Sequence, residues 1–191
     1  KIGRAHQVSD VFKAVERVRE AKIPIMNMDI IAGLPGESTD YLDYTLDALL
    51  KFAPENITIH TLAPKRAAQW NLEALENGLS DEELKKWLES AQKRLRSQGF
   101  HPYYLYRQRR ILANQENVGY ALLDTESLYN IWMMEECRTI LGLGGGSITK
   151  WVDPVSGFVD RRSNPKCPAT FTHIVSEEIS KKTQWLKGYL N

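Results

Sequence analysis

"NMDIIAGLPGES", residues 27–38, decides how the rest of the chain is read. Met28, Ile30, Ile31 and Ala32 make a short apolar run that ends at Gly33, Pro35 and Gly36. Ser38 is a helix-capping residue type, and Leu42, Leu46, Leu49 and Leu50 follow it at helical spacing. The order is strand, tight turn, helix. One residue is out of place: Asp29 sits among apolar neighbours, where an ionised side chain is expensive to bury. Successive strand side chains face opposite ways. Met26, Met28 and Ile30 therefore share one face, and Asn27, Asp29 and Ile31 the other. A parallel-barrel strand buries its apolar face against the outer helices. That turns the methionine face outward and puts Asn27 and Asp29 in the interior, near the carboxyl end of the strand, where barrel active sites collect. A carboxylate paired with an Arg or with backbone amides is the structural alternative.

The pattern extends outward in both directions. Residues 9–21 read as a helix capped by Ser9, with Val11, Phe12, Val15 and Val18 on one face, and 25–31 as the strand. The helix over 39–52 stops at Pro54, and "NITIHTL" (56–62) alternates as a strand. Residues 63–78 are irregular or weakly helical. Ser80 and Glu83 form a capping box for a helix over 81–98, Gly99 ends it, and "YYLYR" (103–107) is a further strand. Helix, strand, helix, strand, helix, strand argues for parallel strands joined by crossover helices. Two to three such units are too few for a closed eight-stranded barrel. The expected class is α/β, the C-terminal half of a barrel over residues 1–107, followed by a mostly α C-terminal domain over 108–191. Within the latter, 108–127 is polar and turn-rich. Residues 128–141 read as helix then short strand, "GFVDRRSNP" as a short strand and turn, and 168–190 as helix.

Composition bounds the function. The 191 residues are 42% hydrophobic and 26% charged, and 25 basic against 24 acidic residues leave a net charge of +1. This is an average globular composition, without the basic surface that nucleic-acid binding needs. No stretch approaches the roughly 20 apolar residues of a membrane span, and no signal-peptide pattern opens the chain, so a cytoplasmic location is expected. The chain starts without Met and enters a helix pattern almost at once, which reads as a fragment opening in mid-domain. Cys137 and Cys167 are the two cysteines, too few for a disulfide framework or a closed zinc site, and read as free thiols. His6, His60, His101 and His173 show no ligand spacing, so no metal site is expected. His60 lies in the second strand, but Thr58 and Leu62 do not settle which way it points. "GLGGGSITK" (142–150) does not fit a phosphate-binding glycine pattern. Lys65, Arg66, Arg107, Arg109 and Arg110 follow predicted strands; they are either a solvated face or a carboxylate-binding set, since Arg forks match carboxylates.

"NMDIIAGLPGES" with its flanks resembles the fifth strand and loop of the radical S-adenosylmethionine (SAM) proteins of the oxygen-independent coproporphyrinogen III oxidase family. "IGRAH" (2–6), "ITIHTLAPKR" (57–66), "YYLYRQ" (103–108), "ENVGYA" (116–121), "LYNI" (128–131) and "ILGLGGGSIT" (140–149) resemble further blocks of that family in order. "HTLAPKRA" and "YYLYRQ" are most similar to its coproporphyrinogen dehydrogenase branch in anaerobic and spore-forming bacteria. The glycine block departs from the usual family form, which has a bulkier residue and an Ala in that run. The resemblance implies that residues 1–107 are part of a radical SAM barrel. It implies that Asp29 meets the ribose of SAM, that Arg4 meets its methionyl end, and that Ala63 and Ile148 make backbone contacts. Arg107, Lys65 and Arg66 become candidates for the propionates of a porphyrinogen substrate. The implied chemistry is oxidative decarboxylation of propionates to vinyl groups in haem biosynthesis. It uses a four-iron (4Fe-4S) cluster on a Cys-x-x-x-Cys-x-x-Cys loop and a reductant such as flavodoxin or ferredoxin. The two cysteines cannot form that loop, so its ligands are expected upstream and this chain alone is expected to be inactive. A haem chaperone of the same superfamily, and a non-catalytic interaction module with Asp29 and Arg4 merely paired, are the alternatives.

Overall fold

The computed structural model describes residues 5–64, 78–108 and 111–190, with side chains to residue 188. The chain divides into two compact units, 1–127 and 128–191. In the first, helix α1 (Val8–Glu20) starts one residue ahead of Ser9, and the Asp10 carboxylate accepts the Gln7 backbone N–H at 2.9 Å. Strand β1 (Asn27–Ala32) leads through the glycine turn to α2 (Thr39–Lys51), where the Ser38 hydroxyl accepts the Tyr41 N–H at 3.4 Å. Strand β2 (Asn56–Thr61) follows. Helix α3 (Asp81–Ser97) opens on the expected capping box: Glu83 accepts the Ser80 N–H at 2.9 Å, and the Ser80 hydroxyl accepts the Glu83 N–H at 3.3 Å. Gly99, at φ +89°, turns the chain into β3 (His101–Tyr106). A 3-10 turn (Leu112–Asn114) precedes β4 (Asn117–Ala121).

The sheet order is β1-β2-β4-β3. β1 and β2 are parallel, in register from Asn27 opposite Asn56 to Ala32 opposite Thr61. Helices cover one face. Ile30 and Ala32 of β1, Ile57 and Ile59 of β2 and Tyr120 of β4 pack against Leu42, Leu46 and Leu49 of α2 and Leu84, Trp87, Ala91 and Leu95 of α3. The Trp87 indole N–H reaches Asp43 at 3.0 Å, tying the two helices together.

Two expectations are corrected. β4 lies in the stretch read as polar and turn-rich, and it enters between β2 and β3, antiparallel to both. β2 and β3 thus run the same way without being neighbours. The reason is local: only Val118 and Tyr120 of "NVGYA" face the core, while Asn117 and Gly119 weaken the strand signal. Because β4 is part of the sheet, the first compact unit runs to 127, and residue 107 only follows the end of β3. The second unit has the two expected helices and the expected short strand in "GFVDRRSNP", with one further strand ahead of it. Helices α4 (Leu128–Glu135) and α5 (Pro168–Leu190) flank an antiparallel hairpin, β5 (Ile148–Val152) with β6 (Val159–Ser163). The short strand expected before the glycine block is a single bridge, Ile140 to Lys150.

Candidate functional site

The parallel register sets Asp29 opposite Thr58 and Ile31 opposite His60, so these side chains share the face of the sheet away from the helices. β4 adds Asn117 and Gly119 to that face, and β3 adds Tyr104 and Tyr106, paired with Gly119 and Asn117 respectively. Asp29 is more than half exposed there, as the alternation of the strand predicts. Its Oδ1 accepts the Asn27 amide N–H at 2.6 Å, the Asn27 carbonyl oxygen accepts the Thr58 hydroxyl at 3.0 Å, and Thr58 lies 3.3 Å from the Tyr104 phenol oxygen. His60 Nε2 stands 3.6 Å from Asp29 Oδ2, beyond hydrogen-bond length and within ion-pair reach. The other imidazole nitrogen, Nδ1, is 3.2 Å from the Tyr106 phenol oxygen. His60, and after it Asn27, hold the Asp29 carboxyl below the ordinary aspartate range, against the upward push of burial. Burial pushes the Tyr104 phenol up.

Gly119 makes this arrangement possible. An ideal Cβ there would lie 1.9 Å from Tyr104 Cε1, so the ring rests directly on the glycine backbone. The Tyr104 and Tyr106 rings are then nearly parallel, 6.4 Å between centroids. Asn117 is 1% exposed; its carbonyl oxygen accepts the Thr61 N–H at 2.8 Å, while its Nδ2 has no partner among the described residues.

The loop after β1 closes one end. Gly33 sits at φ +90°, where a side chain would be strained, and a Cβ there would come within 2.9 Å of Leu112 Cδ1. Glu37 Oε2 accepts the N–H groups of Gly33 at 2.8 Å and of Leu34 at 3.0 Å. Burial pushes its carboxyl above the ordinary glutamate range despite these bonds. Beyond the carboxyl ends of β1 and β2 lies a groove of about 570 Å3 lined by Asp29, His60, Ala63, Tyr106, Gln108 and Asn117.

Asp29 and Ala63 thus meet in one groove. Arg107 does not join them. Its guanidinium donates to Glu116 at 3.0 Å and Asn114 at 3.4 Å, in a separate cleft on the helix side beside Leu88 and Val118. Ile148 opens β5 in the second unit, where Gly142 packs on its backbone so closely that a Cβ would lie 2.5 Å from its carbonyl oxygen. Arg4, Lys65, Arg66, Arg109 and Arg110 lie outside the described residues. Sequence reading put Asn27 on the face of Asp29 but left His60 without a direction and did not point to Thr58, Tyr104 or Tyr106. The parity shared with Asp29 across the register is the signal that finds them.

The donor set at Asp29 suits SAM. An ionised, half-exposed carboxylate with Oδ2 free of any short hydrogen bond among the described residues matches a vicinal diol, whose two hydroxyls both donate. Among the described residues no three His, Cys, Asp or Glu side chains could hold a metal ion, and Cys137 and Cys167 are both exposed thiols.

No family model matches the chain. The fold is a mixed α/β one with the architecture of the C-terminal portion of a radical SAM protein. It superposes with a TM-score of 0.62 on coproporphyrinogen III oxidase (HemN) of Escherichia coli, described as a radical SAM enzyme, over 91% of this chain and 39% of that one. At 16% identity that likeness concerns the fold alone. Two Bacillus subtilis proteins are similar to the chain. The oxygen-independent coproporphyrinogen-III oxidase-like protein HemZ is 37% identical over 187 residues, 97% of this chain and 37% of that protein. The heme chaperone HemW is 26% identical over 202 residues, 98% of this chain and 49% of that protein. The chain belongs to the oxygen-independent coproporphyrinogen-III oxidase family. It spans half or less of the length of the relatives it matches. Among the described residues no helix is long and apolar enough to cross a membrane.

Proposed function

We propose that this chain is the part of a cytoplasmic coproporphyrinogen III dehydrogenase that receives the ribose of SAM at Asp29 and presents Ala63 to the same ligand. The observation that carries the reading is the Asp29 carboxylate. It is kept ionised by His60 and Asn27, and it opens into a groove at the carboxyl ends of two parallel strands. With a reduced 4Fe-4S cluster, bound SAM would supply a radical that takes one hydrogen atom from the substrate propionate; loss of CO2 and of one electron to an acceptor would then leave a vinyl group. This chain's residues bind and orient: Asp29 takes hydroxyls, and the face of Tyr104 and Tyr106 flanks it. The cluster ligands belong to sequence outside these 191 residues, with flavodoxin or ferredoxin as the class of reductant, so this chain alone is inactive in decarboxylation.

A second reading, haem carriage, is supported by the 26% identity with a heme chaperone over 98% of the chain. Anaerobic assay of the full-length protein separates the two. Formation of porphyrinogens bearing new vinyl groups supports the dehydrogenase, whereas stoichiometric haem binding with neither product supports the carrier. The Asp29 assignment has its own test. Asp29→Ala should weaken SAM binding by about 1–3 kcal/mol, the range for losing a charged hydrogen-bond partner, measured by calorimetry on reconstituted protein. Unchanged affinity in a folded variant would make Asp29 structural.

A further inference from the structure

Asn117 has one buried donor that nothing in the sheet satisfies. Its side chain is 1% exposed, and its carbonyl oxygen accepts the Thr61 N–H at 2.8 Å. That bond fixes the orientation of the amide, because a backbone N–H needs an acceptor opposite it. The other end is therefore Nδ2, which has no partner among the described residues. A buried donor without an acceptor is costly, and native proteins keep few of them. Asn117 also lines the groove that holds Asp29. Asn56 keeps an unmet Oδ1 too, but at the amino end of β2 and outside that groove.

The cover over Nδ2 is light. β4 runs between β2 and β3. Tyr106 is paired with Asn117, and His60 stands one step beyond the Ile59–Val118 pair. The 3.2 Å contact between His60 Nδ1 and the Tyr106 phenol oxygen therefore passes over Asn117. Tyr106 is only partly buried, and its one other side-chain bond comes from Gln108 at 3.4 Å. Turning the phenol aside opens the way to Nδ2.

We propose that Asn117 reads the base of the nucleoside bound at Asp29, its Nδ2 donating to a ring nitrogen of the adenine of SAM. The inference rests on the proposed binding of SAM ribose at Asp29. Gly119 lies across Thr58 from Asp29, two residues from Asn117. Ordinary sheet spacings put Asp29 and Asn117 about 12 Å apart at Cα. A nucleoside with its hydroxyls on Asp29 can carry its base across that span. The chemistry selects the acceptor. Nδ2 can only donate. The carboxylate of SAM would be an ion buried against one neutral amide, which is expensive. The ring nitrogens N1, N3 and N7 of adenine are neutral acceptors.

The test is calorimetric titration of the full-length protein with S-adenosylhomocysteine and with its 1-deaza, 3-deaza and 7-deaza analogues, each of which replaces one ring nitrogen by C–H. At least one analogue should bind the wild type about 3–10-fold more weakly than the parent, the loss expected for one neutral hydrogen bond. Asn117→Asp keeps an acceptor for Thr61 without the amide donor, and Asn117→Ala removes the donor without adding charge. Circular dichroism checks that each is folded. Both should bind the parent about 3–10-fold more weakly and no longer distinguish it from that analogue. A wild type that binds all three analogues within about twofold of the parent overturns the inference without any variant. Variants that keep every discrimination overturn it as well. In both cases the proposed function stands if binding still requires Asp29. Absence of binding by S-adenosylhomocysteine and by SAM, or binding unchanged in Asp29→Ala, overturns the proposed function together with the inference.

Discussion

Gly119→Ala isolates the contact on which the open face depends. Gly119 is buried between Thr58 of β2 and Tyr104 of β3. An added Cβ would meet Tyr104 at 1.9 Å (Cε1), 2.4 Å (Cδ1) and 2.7 Å (Cζ). Ordinary carbon contacts lie near 3.5–4.0 Å, so the ring must move by about 1.5–2 Å. Gly119 has no positive φ, so alanine adds no backbone strain and the cost is steric. Overpacking a filled site costs about 1–3 kcal/mol. The displaced ring also gives up its contact with the Thr58 hydroxyl, about 1 kcal/mol, and its pairing with Tyr106, about 0.5–1.5 kcal/mol. These terms overlap, and the lower chain entropy of unfolded alanine returns about 0.4–1 kcal/mol. The net expectation is a loss of about 2–4 kcal/mol by urea unfolding at unchanged m-value. The companion measurement is a double-mutant cycle with Tyr104→Ala. If the methyl acts through the ring, it should be nearly harmless once the ring is gone, giving a coupling of at least about 1.5 kcal/mol. A single-variant loss below about 0.5 kcal/mol, or two additive losses, would show that Tyr104 does not rest on Gly119.

Two further outcomes are expected. Glu37→Gln should keep both loop bonds, because one oxygen accepts them both, while shedding a buried charge; stability at pH 7 should hold or rise by up to about 1 kcal/mol. Since the folded Glu37 carboxyl titrates above its unfolded value, its stabilising contribution is present in acid and lost as pH rises through the folded value, so the variant should flatten the stability profile just above the ordinary glutamate range; a loss above about 1 kcal/mol at pH 7 would mean that the charge itself holds the loop. Arg107→Ala should leave SAM affinity within twofold and cost under about 1 kcal/mol of stability, because its Glu116 pair is half-exposed on the helix side of the sheet; a large affinity loss would place Arg107 with the cofactor after all.

What could be read from the sequence, and what could not, follows from where each signal originates. The β1 turn and α2 were legible because apolar spacing, Gly33, Gly36 and the Ser38 cap act within a dozen residues. So was α3, whose capping box is written at Ser80 and Glu83 and whose buried stripe, Leu84, Trp87, Ala91 and Leu95, has helical period. The direction of Asp29 was legible because its apolar neighbours assign the opposite face. His60 was not, since Thr58 beside it is buried on the open side by Asn27 and Tyr104 rather than by the core, a fact of register and not of local pattern. Arg107 ends a readable strand, but a register shift between Pro102 and Tyr104 fixes its parity, and that shift needs β4 as a partner.

The missed strand and the unrecognised part of the site have one cause. Residues that equip the open face, Asn27 and Asp29 in β1 and Asn117 and Gly119 in β4, belong to the types most depleted in strands. In β1 the loss is offset by three consecutive apolar residues, Ile30, Ile31 and Ala32, so the strand is still visible. β4 has five residues, and of these only Val118 and Tyr120 carry strand character toward the core. Its stability comes from two neighbouring strands and from Tyr104 lying over Gly119, contacts that exist only once the sheet is assembled. A bulkier residue at 119 would strengthen the strand signal and remove the seat of the ring, so the sequence hides β4 at the position where the open face requires glycine.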